Sequence, residues 1–377
     1  MAEVSGSCDS RFEAVRREFE SNLDQGLDVG ASVAVFVDGD PVVDLWGGHL
    51  DSGRTEPWHE DTIINVFSTT KTMTALCAHM LADRGELDFH APVAKYWPEF
   101  AASGKEGVQV RHLMSHTAGL SGWQEPLTVE DLYDWERATS LLAAQEPWWE
   151  PGAFSGYHAL TQGYLVGEVI RRVSGRSVGQ FFAEEIAGPL DADFHIGTPA
   201  SLDDRVAALI PPEGLPTEAD FQPGSLALRT LSNPRLDGSE SATVPWRRAE
   251  IPAANGHGNA RSVALVHSVV ACGGSARGVR LLSEAGCRTI FDEQSNGTDA
   301  VLGVPIRFGM GFGLSSETMP VGPETYFWGG WGGSIIVVDL ETRMSVAYVM
   351  NRMESGLVGD LRGATLVLAA ATSVLGA

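Results

Sequence analysis

The sequence predicts an α+β fold: one antiparallel sheet built from N- and C-terminal segments, flanked by helices, with a helical part inserted between them. Three observations lead there. Strand-like runs gather at the two ends of the chain, helical periodicity dominates the stretch between them, and a Pro-rich segment separates that stretch from the returning strands. The 377 residues suffice for two domains or one large one. We assign 1–80 and 280–377 to a discontinuous sheet domain and 81–200 to a mainly helical domain. Residues 201–279 are read as an irregular segment and a returning helix at the rim of a pocket.

The elements follow in order. Phe12, Val15, Phe19 and Leu23 recur at helical spacing and predict a helix over 10–25. Ala31–Val37 and Pro41–Trp46 read as strands joined at Asp38-Gly39-Asp40, a hairpin signal. Ser68–Arg84 reads as a helix with a stripe of Met73, Leu76, Cys77, Met80 and Leu81, stopped by Gly85. Further helices are expected near 129–145, 160–174 and 177–187. Seven prolines punctuate 201–258, a stretch without periodicity that suits either a lid over a pocket or an inert surface excursion. A helix returns over Ala260–Cys272. Strands are expected at Phe308–Leu314, Thr325–Trp328, Ser334–Asp339 and Met344–Asn351, then a helix from about Val358. The apolar run Ala364–Ala377 is too short to cross a bilayer and reads as a terminal core helix.

Composition narrows the function. With 26 basic against 49 acidic side chains the net charge is −23, which argues against nucleic acid and anionic membrane as partners. Cys8, Cys77, Cys272 and Cys287 are scattered without metal-ligand spacing, and Cys77 is expected as a buried, reduced thiol. Met1–Arg17 has no apolar core of a secretory signal, so a reducing cytoplasm is the expected compartment.

One motif bears on chemistry. Only three lysines occur among the 26 basic residues, and Lys71 stands one helical turn after Ser68. A lysine, unlike an arginine, can lose its proton when buried and so can activate a serine hydroxyl. Ser68 at a helix start also meets unpaired N–H groups that favour developing negative charge. The same residues read equally as a capping serine and a solvated lysine. Two other stretches stand out: Pro151–Gly156 leading to Tyr157, and Trp328-Gly329-Gly330-Trp331-Gly332-Gly333, where glycines in a strand suit close approach of a ligand.

Taken together, Ser68-Thr-Thr-Lys71, Gly85-Glu-Leu-Asp-Phe-His-Ala-Pro-Val-Ala-Lys95-Tyr-Trp-Pro, His112-Leu-Met-Ser-His-Thr-Ala-Gly-Leu120 and Pro151-Gly to Tyr157 resemble the class C β-lactamases, penicillin-binding proteins and their esterase relatives. The resemblance runs from the first hairpin to the C-terminal helix and is weakest across 201–255. It implies a serine β-lactamase-like fold, Ser68 as acylated nucleophile, and Lys71 and Tyr157 as its acid–base pair. It also implies an oxyanion hole from the N–H groups of Ser68 and Trp331. The sequence departs from the family at His158-Ala159, where serine-asparagine is usual, and at Trp328-Gly329-Gly330, which stands in place of lysine-threonine-glycine. A tryptophan there supplies no charge for a lactam carboxylate. The resemblance therefore narrows to the family VIII carboxylesterases, which cleave small neutral esters without a cofactor or metal. Acyl transfer to a small alcohol, β-lactamase or DD-peptidase activity, a non-catalytic binding role and a homo-oligomer stay open.

Trp123, Trp148, Trp149, Phe154 and Trp331 flank the motifs and are candidates to line an apolar pocket. His257, exposed by glycines on both sides, reads either as a further lining residue or as part of a turn. Gly175-Arg-Ser177-Val-Gly179 fits a nucleophile-elbow pattern but follows a helix instead of a strand, so Ser177 is set aside. His112 and His116 have metal-ligand spacing but fall in a turn that the resemblance marks as structural, so no metal is expected.

Overall fold

The computed structural model describes residues 3–376 apart from Thr318 and Pro320. The sheet strands are β1 (Val4–Cys8), β2 (Gly30–Val37), β3 (Asp40–Gly48), β4 (Ser295–Thr298), β5 (Pro305–Phe308), β6 (Gly313–Leu314), β7 (Thr325–Gly329), β8 (Ile335–Asp339) and β9 (Met344–Met350). The five principal helices are α1 (Glu13–Asp24), α2 (Thr70–Asp83), α3 (Thr161–Ser174), α4 (Ala260–Ala271) and α5 (Leu361–Leu375). All nine strands form one antiparallel sheet in the order β1-β3-β2-β9-β8-β7-β6-β5-β4.

The two ends of the chain meet where β2 pairs with β9, Ala31 opposite Met350 through Val37 opposite Met344. Every residue of β9 is buried because helices cover both faces of the sheet. Its side chains alternate accordingly. Ser345 bonds the carbonyl of Ala264 in α4, and Tyr348 points the other way, onto Gly363 of α5. The β2–β3 turn is the expected one: Asp38 and Gly39 have φ of 53° and 84°, the mirror-image turn whose twist suits a two-residue hairpin.

The sequence-based boundaries needed correction where backbone pairing, not side-chain pattern, defines a strand. β1 and β4 are exposed edge strands with no apolar alternation to reveal them. Phe308–Leu314 is two strands, β5 and β6, because the chain reverses at Gly309–Phe312, with Gly311 at φ 92°. The 129–145 region divides at Asp134, which caps the helix Trp135–Ala144 through the Arg137 N–H. The helix α4 is not at a pocket rim. It lies across the sheet, with His267 bonded to Tyr326 on β7 and to Thr72 on α2. Nor is the last helix wholly core. Its inner face buries Arg362, Gly363, Leu366 and Ala370, while Leu361, Leu368 and Leu375 stand in solvent. Between 201 and 258 the chain forms only short turns and helices, chiefly Leu226–Leu231 and Val244–Arg248, before the strand Gly256–Gly258. Among the described residues no helix is long and apolar enough to cross a membrane.

Candidate active site

The helix α2 is sequestered on all sides, and its environment sets the chemistry of Lys71. Every residue from Thr70 to Leu81 is buried, including the polar Thr72, Thr74 and His79. This goes beyond the one-sided stripe expected from sequence, since α2 lies between the sheet and the helical region. A single tight turn, Phe67–Thr69, leads into it. Phe67 holds a left-handed φ of 41°, strain of about 1–3 kcal/mol that its surroundings must hold in place. Its ring is wedged against Trp331 at 5.0 Å and Trp246 at 6.2 Å.

Lys71 is 1% exposed, and among the described residues no carboxylate pairs with it. Its Nζ lies 2.7 Å from the carbonyl of Ala159, 3.0 Å from that of Ala253 and 3.1 Å from Ser68 Oγ. Carbonyls only accept, so two N–H bonds are committed to them. Burial without a counter-charge holds the lysine well below its usual pKa. If that amine is neutral, its two hydrogens are held by the carbonyls and its lone pair faces the third neighbour, the Ser68 hydroxyl.

Tyr157 approaches from the other side, its hydroxyl donating to Ser68 Oγ at 2.6 Å. Burial raises its pKa, and the bond to Ser68 offsets only part of that rise, so the resting phenol is protonated. Trp328 packs its ring 5.5 Å from that of Tyr157. Its indole N–H approaches the Tyr157 hydroxyl but makes no hydrogen bond of good geometry. Behind the tyrosine, His158 Nε2 accepts from the Leu120 N–H, which leaves Nδ1 to donate to the Gly156 carbonyl at 2.6 Å. The His158 N–H in turn bonds His116 Nδ1. Burial lowers both imidazoles, His158 to about 3, so the layer beneath the tyrosine is uncharged.

The Trp-Gly-Gly strand end closes the site. A Cβ on Gly330 would fall 2.2 Å from the Val66 carbonyl and 3.2 Å from the Ser68 nitrogen, so only glycine permits this approach. The Gly330 N–H is committed to Ser334 O at 2.7 Å. The N–H groups of Ser68 and Trp331 have no acceptor among the described residues. A cavity of about 300 Å³ opens over Ser68 and Tyr157, walled by Trp331, Val301 and Leu302 and by Leu215, Phe221 and Leu236 of the irregular segment. Several residues of the irregular 201–258 segment thus border this cavity.

Of the expected lining residues Trp331 walls the cavity, and the other five lie elsewhere. Trp123 is core, bonded to the Ala138 carbonyl and packed on Tyr164. Trp148 stacks under the Arg229 guanidinium, and Phe154 stacks on Trp149 at the surface. His257 is fully buried in a small sheet, between Asn65 and His195. Each flanks a motif in sequence, but its side chain turns away from the cleft. Ser177 caps the helix Val178–Phe182 and bonds Glu250. His112 Nδ1 accepts from the Gln109 N–H in a capping box.

Asp299 was not anticipated. It is fully buried, and its Oδ1 accepts from the N–H groups of Tyr157 (2.9 Å), Val301 (3.0 Å) and Leu302 (2.9 Å). The bonds to 301 and 302 form a local turn legible in sequence. The bond to Tyr157 joins residues 142 positions apart, and no local signal carries it.

A buried serine–lysine–tyrosine cluster at the end of a helix, beside an antiparallel sheet, defines a class of serine hydrolase. The chain belongs to the beta-lactamase family, whose pattern it matches over residues 19–371. It is 40% identical over 371 residues to the esterase/beta-lactamase LipL of Mycobacterium tuberculosis, covering 94% of this chain and 84% of that one. Its structure is similar to that of a family VIII carboxylesterase (TM-score 0.93, 42% identity, 98% and 100% of the two chains). It is also similar to EstA from Arthrobacter nitroguajacolicus Rue61a (TM-score 0.88, 30% identity, 100% and 99% covered).

Proposed function

We propose that this protein is a carboxylesterase that cleaves small, neutral acyl esters through an acyl-enzyme on Ser68. The observation that carries the reading is the uncharged, carboxylate-free environment of Lys71 within 3.1 Å of the Ser68 hydroxyl. As Ser68 Oγ attacks the ester carbonyl, its proton passes to Lys71. The N–H groups of Ser68 and Trp331 receive the developing oxyanion. The intermediate collapses, and the alkoxide leaves with the Tyr157 proton, which Lys71 replaces. Water then attacks the acyl carbonyl, its proton passing to the Lys71–Tyr157 pair; the acyl C–Oγ bond breaks and the pair returns that proton to Oγ, which releases the acid and free Ser68.

Two features favour neutral substrates: the apolar cleft wall and the uncharged Trp328 at the strand position. Lactam hydrolysis would use the same three side chains, but Trp328 supplies no cation for a lactam carboxylate. A chain-length series of p-nitrophenyl esters run beside nitrocefin, on the wild type and Ser68→Ala, tests the reading. Ester turnover far above nitrocefin turnover, abolished in Ser68→Ala, is expected. Efficient nitrocefin hydrolysis, or ester turnover surviving in Ser68→Ala, would overturn it. Product analysis with added alcohols separates hydrolysis from acyl transfer.

A further inference from the structure

The three most exposed large apolar side chains among the described residues all lie on α5: Leu361 (81%), Leu368 (67%) and Leu375 (75%). They are seven residues apart, and each step of seven returns to the same side of a helix with a drift of only about 20°. The residues between them on that side are small: Ala364, Thr365, Ala371 and Thr372. The one charged residue of α5, Arg362, points inward to Asp28 and Asp360. A fifteen-residue helix thus presents an outward stripe without charge, on a protein of net charge −23.

We propose that this stripe is a self-association surface, pairing α5 antiparallel with α5 of a second copy across a two-fold axis at Leu368. The residue pattern carries the choice of partner. A two-fold axis at position 368 sets residues equally far before and after it against each other. Leu368 meets its own copy, Leu361 of one copy meets Leu375 of the other, and the alanines and threonines between them meet each other. Large side chains oppose large and small oppose small. Charge points the same way. The stripe carries no charge, so two copies of a chain of net charge −23 can meet there without like charges in contact. A basic protein partner would find no carboxylate on the stripe to recognise, and anionic lipid is repelled by the whole molecule. The stripe is about 22 Å long, so the contact falls at the small end of specific interfaces and the dimer is a reversible, micromolar one.

Sedimentation velocity of the full chain from about 1 to about 200 µM brackets that affinity. The weight-average mass is expected to climb from 40.3 kDa toward twice that value. Leu368→Glu sets two carboxylates face to face and is expected to raise the dissociation constant by at least about 100-fold, with an unchanged near-UV circular dichroism spectrum showing that the fold is intact. In a Cys8→Ser background, Leu368→Cys should give a covalent dimer with a short bis-maleimide. Leu361→Cys should do so only when mixed with Leu375→Cys. A constant monomer mass, a dimer indifferent to Leu368→Glu, or efficient cross-linking by Leu361→Cys alone would overturn the proposal. So would flotation of a monomeric wild type with phosphatidylcholine vesicles that Leu368→Glu abolishes.

Discussion

Lys71 does its proposed work by losing a proton, and two carbonyls and a wall of apolar neighbours make that possible. Lys71→Arg keeps a cation that burial cannot discharge. Ester turnover should fall by about 10²–10⁴-fold, the usual loss when a general base is removed. Steady-state kinetics against p-nitrophenyl butyrate reads this directly. Since only the neutral amine accepts the serine proton, kcat/KM should decline as pH falls through the lowered lysine pKa, and the acid limb should vanish in Lys71→Arg. Tyr157→Phe removes the donor to Ser68 and should lose turnover on a similar scale. Asp299 acts through Tyr157. Asp299→Ala frees the tyrosine backbone and should lower kcat by about 10-fold. Asp299→Asn keeps an oxygen for the three N–H groups and should restore most of it.

At the scale of elements, the site exists because a strand end and a helix start come unusually close. Gly330→Ala inserts a Cβ 2.2 Å from the Val66 carbonyl and must push the strand away from Ser68. A loss of about 10²–10³-fold in kcat, the effect of removing one oxyanion donor, is expected. Ser177→Ala provides the contrast. It removes a helix cap, so thermal unfolding should shift by the equivalent of about 1 kcal/mol, while fluorophosphonate labelling of Ser68 stays intact. Legibility differed between elements for a physical reason. The β2–β3 hairpin and α2 and α3 were readable because turn chemistry and helical periodicity are local. The edge strands β1 and β4 were not, because backbone bonding to a neighbour holds them.

Across the whole molecule, burial neutralises histidines. Burial lowers His79 and His112 to about 4 and His158, His257 and His267 to about 3, against an ordinary value of 6.5. The unfolded chain binds protons below pH 6.5 that the folded one refuses, so stability falls as pH drops from there toward 4. Each such histidine contributes a slope of about 1.4 kcal/mol per pH unit in that window. Asp28, raised by burial to about 6, and Asp44, also raised by burial, oppose this. Calorimetry from pH 7 to 4.5 should show a steadily falling melting temperature, and a flat or rising profile would contradict it. On the same scale, the sequence by itself determined the meeting of two distant sets of strands, and its ordered motifs brought Ser68, Lys71 and Tyr157 forward as candidates, because periodicity, turn signals and motifs are written along the chain. Only the tertiary structure decided that Lys71 has no carboxylate beside it among the described residues, that Asp299 holds Tyr157, that Trp123 and Trp148 turn away from the cleft while Trp331 walls it, and that one face of α5 is exposed. Each of these depends on which remote atoms share a neighbourhood, and burial and hydrogen bonding between distant segments leave no local trace.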